Sequence, residues 1–157
     1  MKIMVIFDSF YGNTEKIAES IGKALQPGHT VSVVRTCKAT SRDVEMAEGL
    51  IVGSPTRAFR PSEATVEFLK FLPNYCLEGK KAAAFDTRIS TDDISPKFLQ
   101  FMINLGGYAA KPIAKLLAKK GASTPLAAEG FFVNGKEGPL KDGELERAGA
   151  WAKSLFD

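Results

Sequence analysis

The sequence predicts a three-layer α/β fold, a doubly wound sheet of five parallel strands with helices on both faces. Three observations lead there. Five short apolar runs recur along the chain, segments with helical apolar spacing lie between them, and Gly or Pro residues mark several of the junctions. Strands separated by helices need crossover connections, so they pair in parallel and both sheet faces are covered. Right-handed crossovers then fix the doubly wound arrangement.

The elements follow in order. Lys2–Phe7 is a short branched run, read as a buried strand. Asn13–Leu25 places Ile17, Ala18, Ile21, Ala24 and Leu25 on one helical stripe, and Pro27-Gly28 stops it. Thr30–Val34 reads as the second strand and Asp43–Ala47 as a short helical turn. Gly49–Gly53, GLIVG, is a third and fully apolar strand. Pro61–Leu72 reads as a helix with Pro61 in its first turn and Val66, Phe68, Leu69 and Leu72 inward. Lys81–Phe85 is the fourth strand. Ser95–Lys120 is mostly helical with a break at Gly106-Gly107, Leu126–Val133 carries the fifth strand, and Asp142–Phe156 closes as a helix. Leu145, Ala148, Trp151, Ala152 and Leu155 form the apolar face of that last helix. With no repeat, low-complexity tract or linker, one domain over residues 1–157 is expected.

Composition bounds the function. The chain has 157 residues, enough for a full core. Its 45% hydrophobic and 25% charged residues are ordinary for a globular protein. No run approaches the roughly 20 apolar residues of a membrane helix, and the first strand is too short for a signal peptide, so a cytoplasmic location is expected. The net charge of +3 lacks the clustered basic face of a nucleic-acid binder. The lysines of Lys111–Lys120 have helical spacing, which reads as a solvated face. Cys37, Cys76 and the single His29 form no metal-ligand spacing, and the thiols read as reduced. Trp151 and His29 read as structural.

The segment that carries chemistry is Val5–Thr14, VIFDSFYGNT. A strand ends at Phe7, a turn of hydroxyls and small polar groups follows, and a helix begins near Asn13. A helix start directs free N–H groups and the positive end of its dipole at one spot, which favours an anion. Ser9, Tyr11 and Thr14 add hydroxyls, Asn13 an amide, and Gly12 a close backbone approach. No lysine or arginine lies in the turn, so a phosphate there is expected on neutral donors alone. A plain βα turn capping a helix is the competing reading. The chain contains neither G-x-G-x-x-G after a strand nor G-x-x-x-x-G-K-[ST], which argues against dinucleotide and triphosphate sites.

Asp8–Thr14 resembles the phosphate loop of flavodoxins, roughly T/S-x-T/S-G-N-T after the first strand. Ser9, Tyr11, Gly12, Asn13 and Thr14 match in position, with Phe10 between them. The resemblance extends over the order of elements. It implies a five-stranded sheet of order 2-1-3-4-5, the cofactor flavin mononucleotide (FMN), and redox partner proteins. It places Pro55, Thr56, Arg57, Ala58 and Phe59 in a first flavin-flanking loop, and Asp86, Thr87 and Arg88 in a second. All three segments lie at carboxyl ends of strands, where open α/β sheets bind ligands.

The chain departs from the family pattern where an aromatic, a glycine and an acid are usual. Here stand Arg57, Ala58 and Phe59, and the second loop offers Arg88 or Ile89 in place of a stacking tyrosine. Ala58 would carry a β-carbon penalty of about 1 kcal/mol at positive φ. Phe59 reads either as a shifted ring stack or as a core aromatic. Arg57 and Arg88 read either as solvated charges or as attractors of the negative charge a flavin gains on reduction. Phe98–Tyr108 reads either as a core helix or as a lid. Three functions stay open: an electron carrier, an FMN-dependent NAD(P)H:quinone-type reductase, and a binding module that has lost FMN.

Overall fold

The computed structural model describes residues 1–93, 96–97, 101, 107–123 and 126–156. Five strands form one sheet: β1 (Lys2–Phe7), β2 (Thr30–Arg35), β3 (Gly49–Pro55), β4 (Lys81–Ile89) and β5 (Ala127–Val133). Their order is β2-β1-β3-β4-β5 and every pair is parallel. Among the described residues run the α-helices α1 (Asn13–Leu25), α2 (Ser41–Met46), α3 (Glu63–Phe71), α4 (Ala110–Lys119) and α5 (Glu144–Phe156). This is the fold class the sequence predicts.

Strand alternation builds two cores. One contains Ile6, Leu50, Val52 and Ala84 with Val44 of α2, Leu69 of α3 and Ile113 of α4. The other contains Val5, Ile51 and Phe85 with Ile17 and Ile21 of α1 and Ala148 of α5. Successive side chains of a strand point to opposite faces, so neighbours such as Val5 and Ile6 enter different cores. Trp151 packs edge-on against Phe85 and Phe131, with ring centroids 6.5 and 5.9 Å away.

Several boundaries differ from the sequence reading. β3 and β4 run past the apolar residues, because Ser54 pairs with Asp86 and Pro55 with Thr87, and β5 extends the pairing to Ile89. Residues expected in flavin-flanking loops are therefore partly strand ends. Pro61 precedes the cap Ser62 and stands outside α3, whose first residue is Glu63. Leu145, expected inward, is exposed in the first turn of α5, where Ser20 Oγ donates to its carbonyl. Helix α4 starts at Ala110. Most of Phe98–Tyr108 lies outside the described residues. Both cysteines are free thiols.

The topology creates one crevice. The chain leaves β1 toward β2 on one side and returns to β3 on the other, so the carboxyl ends of β1 and β3 diverge at a switch point. Gly53 keeps β3 seated there. A Cβ on it would fall 2.0 Å from Cζ of Phe85, whose ring is fully buried. Replacing Gly53 by Ala should lower unfolding stability by about 1–3 kcal/mol, the range for overpacking a tight core. Urea titration of both proteins measures it, and equal midpoints would mean that the Phe85 ring shifts freely.

Candidate functional site: a cleft at the carboxyl ends of the strands

A cleft of about 480 Å³ opens at the switch point. The volume falls in the roughly 300–1,000 Å³ range of small-molecule sites. The turn after β1 contributes Ser9, Phe10, Tyr11, Asn13 and Thr14. The segment after β3 contributes Pro55, Thr56, Arg57 and Ala58, and β4 contributes Thr87, Arg88 and Ile89. Three predicted residues stand off the lining. Gly12 supplies backbone, Phe59 is half-buried outside the lining, and Asp86 is fully buried. Two lining residues, Val133 and Lys136, come from the end of β5 and the loop after it, and no motif in the sequence marks either as a site residue.

The turn is held by its own bonds. Ser9 Oγ accepts from the Gly12 N–H at 3.0 Å, and the Ser9 N–H donates to Asp8 Oδ1 at 2.9 Å. Arg35 clamps it from β2, donating to the Ser9 carbonyl at 2.9 Å and to Glu15 Oε2 at 3.1 Å. Gly12 adopts φ 87°, a left-handed value that glycine reaches at no steric cost. Thr14 is buried, with its hydroxyl 2.8 Å from that of Thr87.

The helix starts differ in one respect. Thr40 caps α2 through a reciprocal bond pair with Asp43, and Ser62 caps α3 by accepting from the Thr65 N–H. At α4, Thr56 Oγ1 accepts from the Ala109 N–H and Asp86 Oδ2 from the Ala110 N–H. Helix α1 has no side-chain cap, and its first residues, Asn13 and Thr14, line the cleft. Its orphan donors and dipole thus face open space shaped for a ligand.

Part of the remaining lining is aromatic and cationic. Phe10 and Tyr11 are exposed at 48% and 45%. The Arg57 guanidinium lies 4.6 Å from the centroid of the Phe10 ring. Arg57 and Arg60 exchange both backbone bonds at 2.9 Å around Ala58 and Phe59. Ala58 has φ 45° and Phe59 φ 66°. Two left-handed residues in a two-residue turn normally call for Asn and Gly. The strain anticipated at Ala58 is therefore present, and Phe59 shares it.

Arg88 is not a free charge. It donates to Asp86 through Nε at 2.6 Å and Nη2 at 2.5 Å, and its guanidinium lies 3.8 Å from the Tyr108 centroid. Gly130 makes room, since a Cβ there would fall 2.1 Å from Arg88 Cζ. Burial pushes the Asp86 carboxyl above the usual carboxylate range, opposed by the bonds from Arg88 and Ala110. The pair joins β4 to the start of α4 and offsets much of the positive charge that Arg88 brings to the wall.

Comparison with known proteins places this geometry. A family model described as "Flavodoxin domain" matches residues 4–130. The chain belongs to the flavodoxin family. A flavodoxin of Aquifex aeolicus is 42% identical over 57 residues, which is 35% of this chain and 31% of that protein. Two solved flavodoxins of Bacillus cereus, flavodoxin 1 and flavodoxin 2, share the fold. Flavodoxin 1 superposes with a TM-score of 0.75 at 21% identity, over 99% of this chain and 97% of its own. Flavodoxin 2 gives 0.76 at 22% identity over the same shares. The cofactor of the family, and of this chain, is FMN. The cleft fits it in chemistry: uncapped N–H donors and hydroxyls suit a phosphate, and the aromatic and aliphatic lining of Phe10, Tyr11, Pro55 and Ile89 suits a flat ring. Among the described residues no helix is long and apolar enough to cross a membrane.

The end of β5, next to the lining residue Val133, is anchored by Glu144. Its carboxylate accepts from the Phe132 N–H at 2.6 Å and from Arg147 Nε at 2.9 Å. Burial alone would raise its pKa, but the bonds from Arg147 and Phe132 outweigh it and hold the group below the ordinary 4.5. A lowered folded-state pKa stabilises the protein above the unfolded value and ceases to do so as pH falls through the folded one. Glu144→Gln should therefore lower stability at pH 7, by about 1–3 kcal/mol for lost charged hydrogen bonds. The gap to the parent should close as pH falls below 4.5, the group's ordinary value. Thermal melts of both proteins across pH 3–7 check it (a window set about the usual carboxylate pKa); a gap unchanged at the acid end would contradict the charged role.

Proposed function

We propose that this chain is an electron-transfer protein that holds FMN in the cleft, with the phosphate at the start of α1. The observation that carries the reading is the uncapped helix start opening on the cleft, beside three helices whose starts are capped. FMN supplies the redox chemistry, and the polypeptide supplies binding, orientation and electrostatics. Ser9, Gly12, Asn13 and Thr14 form the phosphate end. Phe10, Tyr11, Pro55, Thr56, Arg57 and Ala58 flank the ring on one side, and Thr87, Arg88 and Ile89 flank it on the other. Asp86 acts behind Arg88, and Phe59 holds the turn that presents Ala58. The partners are other redox proteins. Among the described lining residues there is no carboxylate, imidazole or thiol, which suits a carrier better than a reductase that protonates its own substrate.

Three outcomes test this. The purified protein should be yellow and release FMN, not FAD, on denaturation; colourless protein that takes up no added FMN would overturn the reading. Thr14→Ala should weaken FMN binding by about 1–3 kcal/mol, the cost of an unsatisfied buried partner. Fluorescence titration of apo-protein measures this, with circular dichroism to confirm the fold, and unchanged affinity would reduce the turn to a helix start. Mixing with NADH or NADPH alone should leave the flavin oxidised, and rapid bleaching would favour the reductase.

A further inference from the structure

The loop after β5 brings a cation to the turn after β1. Asn13 Nδ2 donates to the carbonyl of Glu137 at 3.0 Å. Gly138, at φ 100°, presses against the same amide: a Cβ on it would fall 2.6 Å from Asn13 Nδ2. The loop is closed on itself. The Asn134 N–H donates to the Pro139 carbonyl at 2.9 Å, the Gly138 N–H to Gly135 at 3.0 Å, and the Lys141 N–H to Phe132 at 2.9 Å. Lys136 sits within this closed loop and lines the cleft together with Asn13 and Thr14.

The other cations near the cleft are engaged. Arg35 is bonded to Ser9 and Glu15, Arg57 lies over Phe10, and Arg88 is paired with Asp86. Among the described residues Lys136 has no carboxylate, carbonyl or ring partner. A phosphate monoester at neutral pH carries a charge of about −1.5 to −2, and the turn itself offers only neutral donors. We infer that Lys136 is a phosphate-recognition residue that selects the phosphorylated flavin, and that Asn13 is the positioning residue that delivers it. One N–H of the Asn13 amide holds the lysine loop, so part of what this residue contributes to phosphate binding passes through Lys136. This rests on the FMN reading above and adds a residue from outside the turn.

The test uses apo-protein titrated with FMN and with riboflavin, which lacks the phosphate, at low and high salt. Lys136→Gln should raise the FMN dissociation constant about tenfold, as loss of a charge-assisted bond does. It should leave riboflavin binding unchanged and flatten the salt dependence of FMN binding, and Lys136→Arg should restore both. Asn13→Ala should also weaken FMN, and adding Lys136→Gln to it should change the constant less than about twofold, because coupled residues are not additive. An FMN constant unchanged by Lys136→Gln, or an equal change for both ligands, overturns the recognition role. Full additivity overturns the positioning role. Parent protein that binds neither ligand overturns the FMN reading and this inference together, whereas parent binding with an inert Lys136 overturns only the inference.

Discussion

The first turn of α1 presents backbone N–H groups that no side chain of its cap residue satisfies, and much of the cleft follows from that constraint. Unpaired donors at a helix start are costly unless water or a ligand meets them. Gly12 turns the chain sharply enough to aim them into the cleft. Arg35 and Ser9 fix the turn from below, and Thr87 holds Thr14 from β4. The result is a hollow at the helix start lined in large part by backbone donors.

The sheet decides what else reaches that hollow. Because β1 and β3 lie side by side and their connections depart in opposite directions, the segments after both strands converge on one crevice. β4 and β5 add the next two strand ends in register, so Thr87, Arg88 and Val133 arrive on a rigid edge. Asp86 links this edge to α4 and keeps the Arg88 guanidinium flat between Gly130 and Tyr108. The mobile charge that the sequence suggests at Arg88 is thereby a bound pair. Arg57, exposed over Phe10, keeps its charge at the rim, where solvent screens it.

Much of this was legible in the residues. β1 and α1 have the bounds that apolar spacing predicts, because a branched run and a 3.6-residue stripe there coincide with turn chemistry at both ends. The carboxyl ends of β3 and β4 were less legible. Ser54, Asp86 and Thr87 read as loop residues by type, yet ladder pairing continues through them and their polar atoms find partners in α3, α4 and α1. Local pattern cannot register a hydrogen bond supplied from 24 residues away, as between Ala110 and Asp86. The same limit hid Lys136. Its loop is distant in sequence from the turn it meets, and the bond from Asn13 to Glu137 that joins them spans 124 residues. The switch-point rule contained a usable signal, since the end of β5 is also a carboxyl end.

The most direct test of the account is where the phosphate of bound FMN lies. A crystal structure of the FMN complex should show its oxygens within hydrogen-bond distance, about 2.7–3.2 Å, of the backbone N–H groups at the start of α1 and of the Thr14 hydroxyl. A phosphate that projects into solvent, with water on those N–H groups, would contradict it.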